Sequence, residues 1–293
     1  MKREAMTHAT MTFVGIGAIG LPMATLLSRA GYSITGVDPF PAARGRALAA
    51  GVATVARFRD TPRSDIVIVM VATPEQLAEL VTEALAGEFV AGQTWIIMST
   101  VGPVSVVQES ARLVAAGAAV IDAPVTGGVT GARRGELVIF AAGSHRLVEQ
   151  IAPVLEVLGR VRVVGRAVGD GQGIKVVNQH LAAVHIVAAA EALNLAASLG
   201  LNRETVLDLI KDGAAGSWML TDRGPRMLMN TDAPVTSTIN IFVKDSNLVA
   251  EAAMNSGAAV PMLAVARSRY EAAAAQDLGL RDDSRVIETY LTV

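Results

Sequence analysis

The stretch MTFVGIGAIGLPMATLLSRA, residues 11–30, decides the fold of the first half of the chain. Its first four residues are apolar and predict a short buried strand, and its last ten predict a helix. Between them lies a G-x-G-x-x-G turn. Its first glycine permits a tight turn, its second leaves room for a pyrophosphate, and its third lets the helix pack close to the strand. The start of the helix adds N–H groups that favour a phosphate. The predicted dinucleotide contacts in this turn are Gly15, Gly17, Ala18, Ile19 and Gly20.

An acidic residue follows the second predicted strand. The apolar run at residues 32–37 ends at Asp38, 23 positions after Gly15, where a carboxylate is expected to meet the adenosine ribose hydroxyls. A carboxylate repels a 2′-phosphate, and the nearest cation after it is Arg44. We therefore predict NAD as the cofactor in preference to NADP. The alternative is a tight strand–helix turn followed by an unrelated surface aspartate.

Strand-like and helix-like segments alternate through the first half of the chain. Apolar runs occur at residues 65–71, 94–98, 118–121, 137–141 and 161–164, separated by helical patterns at 74–85, 103–115 and 146–158. Near-continuous apolar strands of this kind predict a doubly wound, mostly parallel sheet with helices on both faces. Cofactors bind at the carboxyl ends of such strands. The residues that follow the strands and are predicted to contact the cofactor are Ala72, Thr73, Ser99 and Thr100.

The pattern changes near residue 165, after which every segment is helical in character. The longest helical pattern covers residues 174–199, and further ones cover 203–211, 218–228, 242–255, 261–278 and 283–290. We therefore predict two domains: an α/β NAD-binding domain of the Rossmann type at residues 1–166, and an all-α domain at residues 167–293, whose role in substrate binding and dimerisation is implied only by the family resemblance given below.

Composition excludes several classes of function. The formal net charge is −2, which offers no basic surface for nucleic acid or anionic lipid. The chain has no cysteine, so disulfides, thiolate catalysis and cysteine-ligated metal sites are excluded. The four histidines are not clustered, and we predict no metal site. The first ten residues lack an apolar segment of signal-peptide length, and the alanine-rich run at 181–199 carries polar residues. We expect a cytoplasmic protein with a buried helix there.

A lysine stands out on the long helix. In GQGIKVVNQ, residues 171–179, Lys175 shares a stripe with small and apolar side chains, and Asn178 lies at the edge of that stripe. Desolvation and a nearby positively charged nicotinamide would both lower the pKa of this lysine toward the range of a general base. The alternative is a lysine whose stem packs while its ammonium reaches solvent.

Three further features are candidates for binding. In DAPVTGG, residues 122–128, a threonine and two glycines precede a helical stretch and suit a nest of N–H groups for a carboxylate. The alternative is an ordinary loop with Thr126 as helix cap. Lys244 and Asp245 suit a substrate anion or cofactor, or form a surface ion pair of little energetic weight. Trp218 suits a pocket wall, although core packing is the simpler interpretation.

Together these motifs resemble the β-hydroxyacid dehydrogenase family, which includes 3-hydroxyisobutyrate dehydrogenases and tartronate semialdehyde reductases. The resemblance covers nearly the whole chain through GIGAIGLPMA, DAPVTGG, GQGIKVVN and the KD pair. It implies that Lys175 is the acid/base, that Asn178 is its polar partner, and that Ser99 and Thr100 lie near the nicotinamide. The substrate contacts that it implies are Thr126, Gly127, Gly128, Gln179, Trp218 and Lys244. Gln179 stands where many members have asparagine.

The resemblance also implies a 6-phosphogluconate dehydrogenase-like fold, a homodimer or homotetramer, and hydride transfer from a small hydroxy acid to NAD. Within the family, the C-terminal runs resemble the L-threonate dehydrogenase branch. Other substrates that remain open are 3-hydroxyisobutyrate and tartronate semialdehyde. Two other functions are considered. The first is a non-catalytic dinucleotide-binding module, which the presence of Lys175 and Asn178 disfavours. The second is an imine reductase, a class that lacks this lysine.

Overall fold

The structure is a computed structural model that describes residues 9–87, 90–229 and 233–290. The residues before 9, on which the prediction about a signal peptide depends, lie outside the described ones. Contacts divide the chain into two compact units, one up to Lys175 and one from Val176 onward. The division falls within a long helix, whereas the boundary expected from the sequence lies at 166/167 and stays a prediction.

The first unit is built on one sheet. Within the described residues, its strands are β1 Thr10–Val14, β2 Ser33–Val37, β3 Ala53–Val55, β4 Ile66–Val69, β5 Thr94–Ile97, β6 Ala119–Asp122, β7 Val125–Thr126, β8 Leu137–Ala142 and β9 Gly159–Gly165. Their order is β3-β2-β1-β4-β5-β6-β8-β7, and β9 pairs with β8. The first six strands in this order, from β3 at the edge to β6, are all parallel. Strand β8 runs antiparallel to β6 and β7. The predicted mostly parallel, doubly wound sheet is confirmed.

Helices cover both faces of this sheet. They are α1 Gly20–Arg29, α2 Pro41–Ala49, α3 Pro74–Ala86, α4 Pro103–Ala115, α5 Gly128–Arg134 and α6 His145–Leu158, with a 3₁₀ turn at Phe58–Asp60. Strands β3 and β7 and helix α2 were not predicted from the sequence. The two strands are short, and α2 has a weak apolar face because it buries only Ala43 and Ala47.

Two apolar layers enclose the sheet. Ile66 and Ile68 of β4 pack into the layer that contains α1 and α6. Val67 and Val69, which point the other way, pack into the layer that contains α3 and α4. Because successive strand residues face opposite sides, a strand that is buried on both faces must be apolar throughout, as IVIV is.

The second unit is helical. Its elements are α7 Asp170–Ser198, which begins in the first unit, α8 Arg203–Ile210, α9 Trp218–Leu228, α10 Ile239–Ser256 and α11 Pro261–Ala273. A π-helical turn, Ala274–Leu278, and a 3₁₀ segment, Asp283–Tyr290, follow. The single helix predicted over 261–278 is therefore wrong in its last turn, where Asp277 adopts a φ of 61°. The segment at 283–290 is 3₁₀ instead of α-helical.

Helix α7 has a membrane-like composition and forms the centre of the second unit's core. In the described part of the chain it is the helix that is long and apolar enough to cross a membrane. Four of its alanines, together with Ile186, Val187 and Leu193, pack with Phe242 and Tyr270, whose rings stack at 5.1 Å between centroids. This packing in the core of the second unit accounts for part of the apolar character of α7, whereas Val177, Leu181 and Leu195 are exposed.

Candidate active site

The glycine turn connects β1 to α1 and leaves its backbone open on one side. Gly15 has a φ of +88°, and a Cβ there would collide with the carbonyl of Met70. A Cβ on Gly20, the first residue of α1, would collide with the carbonyl of Gly15. A Cβ on Gly17 would meet no heavy atom of the described residues within 4 Å. Two of the glycines are therefore required by the fold, and Gly17 is left free to admit a ligand.

Asp38 lies next to this turn. Its Oδ2 accepts a hydrogen bond from the backbone N–H of Ile16 at 3.2 Å, and its Oδ1 accepts one from Phe40 at 3.0 Å. Arg44 donates from Nη1 to the carbonyls of Asp38 and Pro39, each at 2.9 Å. The carboxylate is thus fixed beside the turn, as a ribose-binding group must be. The guanidinium of Arg44 is tied to the backbone of the same loop.

The other predicted cofactor contacts follow neighbouring parallel strands. Ala72 and Thr73 come after β4, and Ser99 and Thr100 come after β5, so all four lie at the sheet edge that carries the glycine turn. Thr73 caps α3 by accepting from the N–H of Gln76 at 3.3 Å. Ser99 is fully buried.

The glycines of the DAPVTGG motif adopt backbone conformations that favour glycine. Gly127 has a φ of +125° and Gly128 a φ of +62°. The N-cap of α5 is Gly127, without a side-chain capping bond. The alternative in which Thr126 caps the helix is therefore wrong. Thr126 itself is the last residue of β7, half-buried and paired with Val138 of β8.

A junction between the sheet and the start of α7 was not predicted from the sequence. The side chain of Gln172 lies between β5 and β6. Its Nε2 donates to the carbonyl of Ser99 at 2.9 Å and to Asp122 Oδ1 at 3.0 Å. Its Oε1 accepts from the N–H groups of Val101 and Gly102, both at 3.1 Å. The NH₂ group of this amide donates two hydrogen bonds and its oxygen accepts two, so all four of its hydrogen-bonding positions are occupied.

Asp122 completes this junction. Its Oδ2 accepts from the backbone N–H groups of Gly169 at 3.0 Å and Gln172 at 2.9 Å. The carboxylate therefore satisfies free donors at the N-terminus of α7. Burial raises the pKa of Asp122 to about 6, against the opposing effect of these hydrogen bonds. A Cβ on Gly171 would lie 2.9 Å from Asp122 Oδ2, so glycine at this position lets the start of α7 approach the Asp122 carboxylate closely.

Lys175 lies one helical turn beyond Gln172. It is only 6% exposed, so its side chain has little contact with solvent. The alternative in which its ammonium extends into bulk water does not fit this burial. Because Gln172 and Asp122 hold the first turn of α7 to the sheet edge, they also set the position of Lys175.

In the second unit, four predicted site residues form one connected set. Lys244 Nζ lies 2.7 Å from Asp245 Oδ1. Gln179 Nε2 donates a short hydrogen bond to Asp245 Oδ2, and Asn178 Nδ2 donates to Gln179 Oε1 at 2.9 Å. The side chain of Asp245 is 3% exposed and that of Lys244 19%. The pair is therefore not the solvated surface pair considered from the sequence.

Trp218 is exposed. It is the first residue of α9, which Ser217 caps by accepting from the N–H of Leu220 at 3.0 Å. The indole is 57% exposed, and the guanidinium carbon of Arg223 lies 5.6 Å from the ring centroid. The expectation of core packing is wrong for Trp218. Met219, its neighbour in sequence, packs at the margin of the core instead.

Comparison with known proteins decides the family. The family model for the NAD-binding domain of 6-phosphogluconate dehydrogenase matches residues 10–169. The model for the NAD-binding domain of NADP-dependent 3-hydroxyisobutyrate dehydrogenase matches residues 169–290. The chain belongs to the β-hydroxyacid dehydrogenase family. The resemblance seen in the sequence is thus confirmed.

Individual members of the β-hydroxyacid dehydrogenase family match along almost the full chain. L-threonate dehydrogenase of Escherichia coli O6:H1 is 33% identical over 94% of this chain and 93% of its own. NAD-dependent L-serine dehydrogenase of Pseudomonas aeruginosa is 30% identical over 94% and 96%. The crystal structure of 3-hydroxyisobutyrate dehydrogenase from Salmonella typhimurium superposes with a TM-score of 0.89 at 31% identity, covering 96% of this chain and 99% of that one.

These matches confirm the predicted fold class and the NAD-binding function. The protein is an NAD(P)-dependent dehydrogenase of the β-hydroxyacid dehydrogenase family. The roles of individual residues remain predictions, because the comparisons identify no site residue. The described residues contain no group of three or more side chains suited to a metal ion. The expectation of no metal also stays a prediction.

Proposed function

We propose that the protein oxidises the alcohol carbon of a small hydroxy acid with NAD, and that L-threonate is the first substrate to test. The cofactor chemistry that bound NAD would supply is acceptance of the hydride from that carbon. The buried Lys175 at the anchored start of α7 carries the proposal, because oxidation of an alcohol also requires a base to take the hydroxyl proton. In the reverse direction the same ammonium returns the proton to the carbonyl oxygen.

The remaining residues have proposed roles in binding. The turn from Gly15 to Gly20 receives the pyrophosphate at the open backbone of Gly17, and Asp38 binds the ribose hydroxyls. The open backbone at Gly17 and the fixed carboxylate at Asp38 support these roles. The backbone at residues 126–128 attracts the substrate carboxylate. The ammonium of Lys244 has a separate proposed role as a contact to the substrate or the cofactor. Holding a substrate in one orientation contributes several kcal/mol to catalysis, since it replaces a random encounter.

The names of the relatives support this substrate class. They act on L-threonate, L-serine and 3-hydroxyisobutyrate, which share a carboxylate and an alcohol. 3-Hydroxyisobutyrate and tartronate semialdehyde remain the alternative substrates. We also propose that the protein is a cytoplasmic homodimer or homotetramer without nucleic-acid or membrane partners.

The test is NADH formation with L-threonate, D-threonate, 3-hydroxyisobutyrate, glycerate and serine, compared for the parent and the Lys175→Ala variant. We expect the variant to lose about 10²–10⁴-fold in kcat while it keeps its affinity for NAD. Lys211→Ala is the matched control, because Lys211 pairs with Asp208 on the exposed α8. A Lys175→Ala variant with near-parental kcat would remove the lysine from the mechanism. If the parent protein turns over none of these acids, the proposed substrate class is refuted.

A further inference from the structure

We propose that Gln179 is a positioning residue that orients the amide of Asn178 so that Asn178 Oδ1 faces the substrate and accepts a hydrogen bond from a substrate hydroxyl. This inference rests on the proposed function. It arises from the connected set of Lys244, Asp245, Gln179 and Asn178. Each link in the set restricts the next one.

The first restriction comes from charge. Asp245 forms an ion pair with the ammonium of Lys244, 2.7 Å from Oδ1, and a carboxylate in an ion pair only accepts hydrogen bonds. The side-chain group of Gln179 that points at Asp245 Oδ2 must therefore be the NH₂ end. The opposite orientation would place two acceptors in contact within a buried site, at the full cost of an unpaired polar group.

The second restriction follows from the first. With its NH₂ group on Asp245, Gln179 presents Oε1 to Asn178. Oxygen at this position only accepts, so Asn178 must turn its own NH₂ toward Gln179. The oxygen of the Asn178 amide then lies on the other side of the group, away from Gln179. The charge on Asp245 thus selects which end of Asn178 is free for a ligand.

The chemical consequence concerns specificity. An amide oxygen accepts a hydrogen bond from a hydroxyl but cannot donate to a carboxylate or a carbonyl. A site that presents this acceptor favours substrates with a hydroxyl at that position over analogues without it. Gln179 would therefore act through Asn178, although the sequence resemblance implied that it contacts the substrate directly. Its length suits the role, because its amide spans from Asn178 on α7 to Asp245 on α10.

The first experiment needs no substrate. In ¹⁵N–¹H spectra of the full chain, the side-chain NH₂ groups of Asn178 and Gln179 should exchange with water more slowly than those of exposed amides. Asn178 protection should fall in Gln179→Met and persist in Gln108→Met, the same change on the exposed face of α4. Fast exchange at Asn178 in the parent, or unchanged protection in Gln179→Met, would overturn the inference. The parent measurement remains decisive even if Gln179→Met folds poorly.

The second experiment measures specificity. For the parent, Gln179→Met and Gln108→Met, kcat/KM is compared for acids with a second hydroxyl, glycerate and L-threonate, and for 3-hydroxyisobutyrate, which has none. We expect Gln179→Met to lower the preference for the second hydroxyl by about fivefold to tenfold, the effect of one hydrogen bond, mainly through KM. An equal loss for all the acids would show a merely structural role. If the parent turns over none of the acids, the proposed function fails, while the exchange experiment still decides the orientation of Asn178.

Discussion

Replacement of Gln172 by methionine tests how strongly the start of α7 is held to the sheet. Gln172 is fully buried and uses both ends of its amide. Methionine has nearly the same length and shape, so the Gln172→Met variant removes four hydrogen bonds without opening a large cavity. It leaves the N–H groups of Val101 and Gly102, the carbonyl of Ser99 and one oxygen of Asp122 without this partner.

The expected cost follows from the number of bonds. A protein hydrogen bond contributes about 1 kcal/mol net, and a buried group left unsatisfied costs ~1–3 kcal/mol. The four bonds therefore predict a loss of about 4 kcal/mol or more for the first unit. Because whole domains are stable by only ~5–15 kcal/mol, such a loss is easily measured. It should also lower kcat, since Lys175 lies one turn further along α7.

The assay uses the placement of the two tryptophans. Trp95 is fully buried in β5 of the first unit, and Trp218 belongs to the second unit. In a Trp218→Phe background, fluorescence of Trp95 reports urea unfolding of the first unit alone, which avoids treating two units as one transition. Gln108→Met is the control and should change the unfolding free energy by less than ~0.5 kcal/mol. A Gln172→Met variant within about 1 kcal/mol of the parent would refute the reasoning.

Three further predictions concern the cofactor site and pH. Gly17→Ala should raise the Kd for NAD about tenfold or more without loss of stability, because a methyl group there would occupy the space left for the pyrophosphate. Isothermal titration against Gly45→Ala, another glycine without near neighbours, checks this, and equal affinities would contradict it. Asp38→Ala should reduce the preference for NAD over NADP in kcat/KM by about tenfold or more, since a charged hydrogen-bond acceptor is lost and a repulsive charge is removed. Unchanged discrimination would mean that another group reads the ribose. The folded-state pKa of Asp122 is raised from 3.8 to about 6, so the folded state binds a proton more tightly than the unfolded state does. The contribution of Asp122 to the free energy of unfolding should therefore fall by roughly 3 kcal/mol as pH rises from about 4 to about 6. Urea unfolding of the parent and of Asp122→Asn across this range should differ in slope, and parallel curves would contradict the shift.

Much of the first unit could be predicted because its signals are local. The glycine turn, Asp38 and the apolar strands each depend on backbone geometry or on burial of successive residues. The second unit was predicted as helical for the same reason. The short β3 and β7 and the weakly amphipathic α2 were missed because two or three residues carry no detectable period, and the burial of Ala43 and Ala47 depends on neighbours distant in sequence.

The sequence by itself determined the family, the cofactor turn and the identity of the candidate lysine, because these depend on short motifs with their own steric and electrostatic requirements. Only the tertiary structure decided which polar groups meet. Asp122 reaches Gln172 across 50 residues, and Gln179 reaches Asp245 across 66. It also decided that Trp218 is exposed. Pairings of this kind depend on how strands and helices pack, which gives a hydrogen-bonding side chain its partner but leaves no periodic trace in the chain.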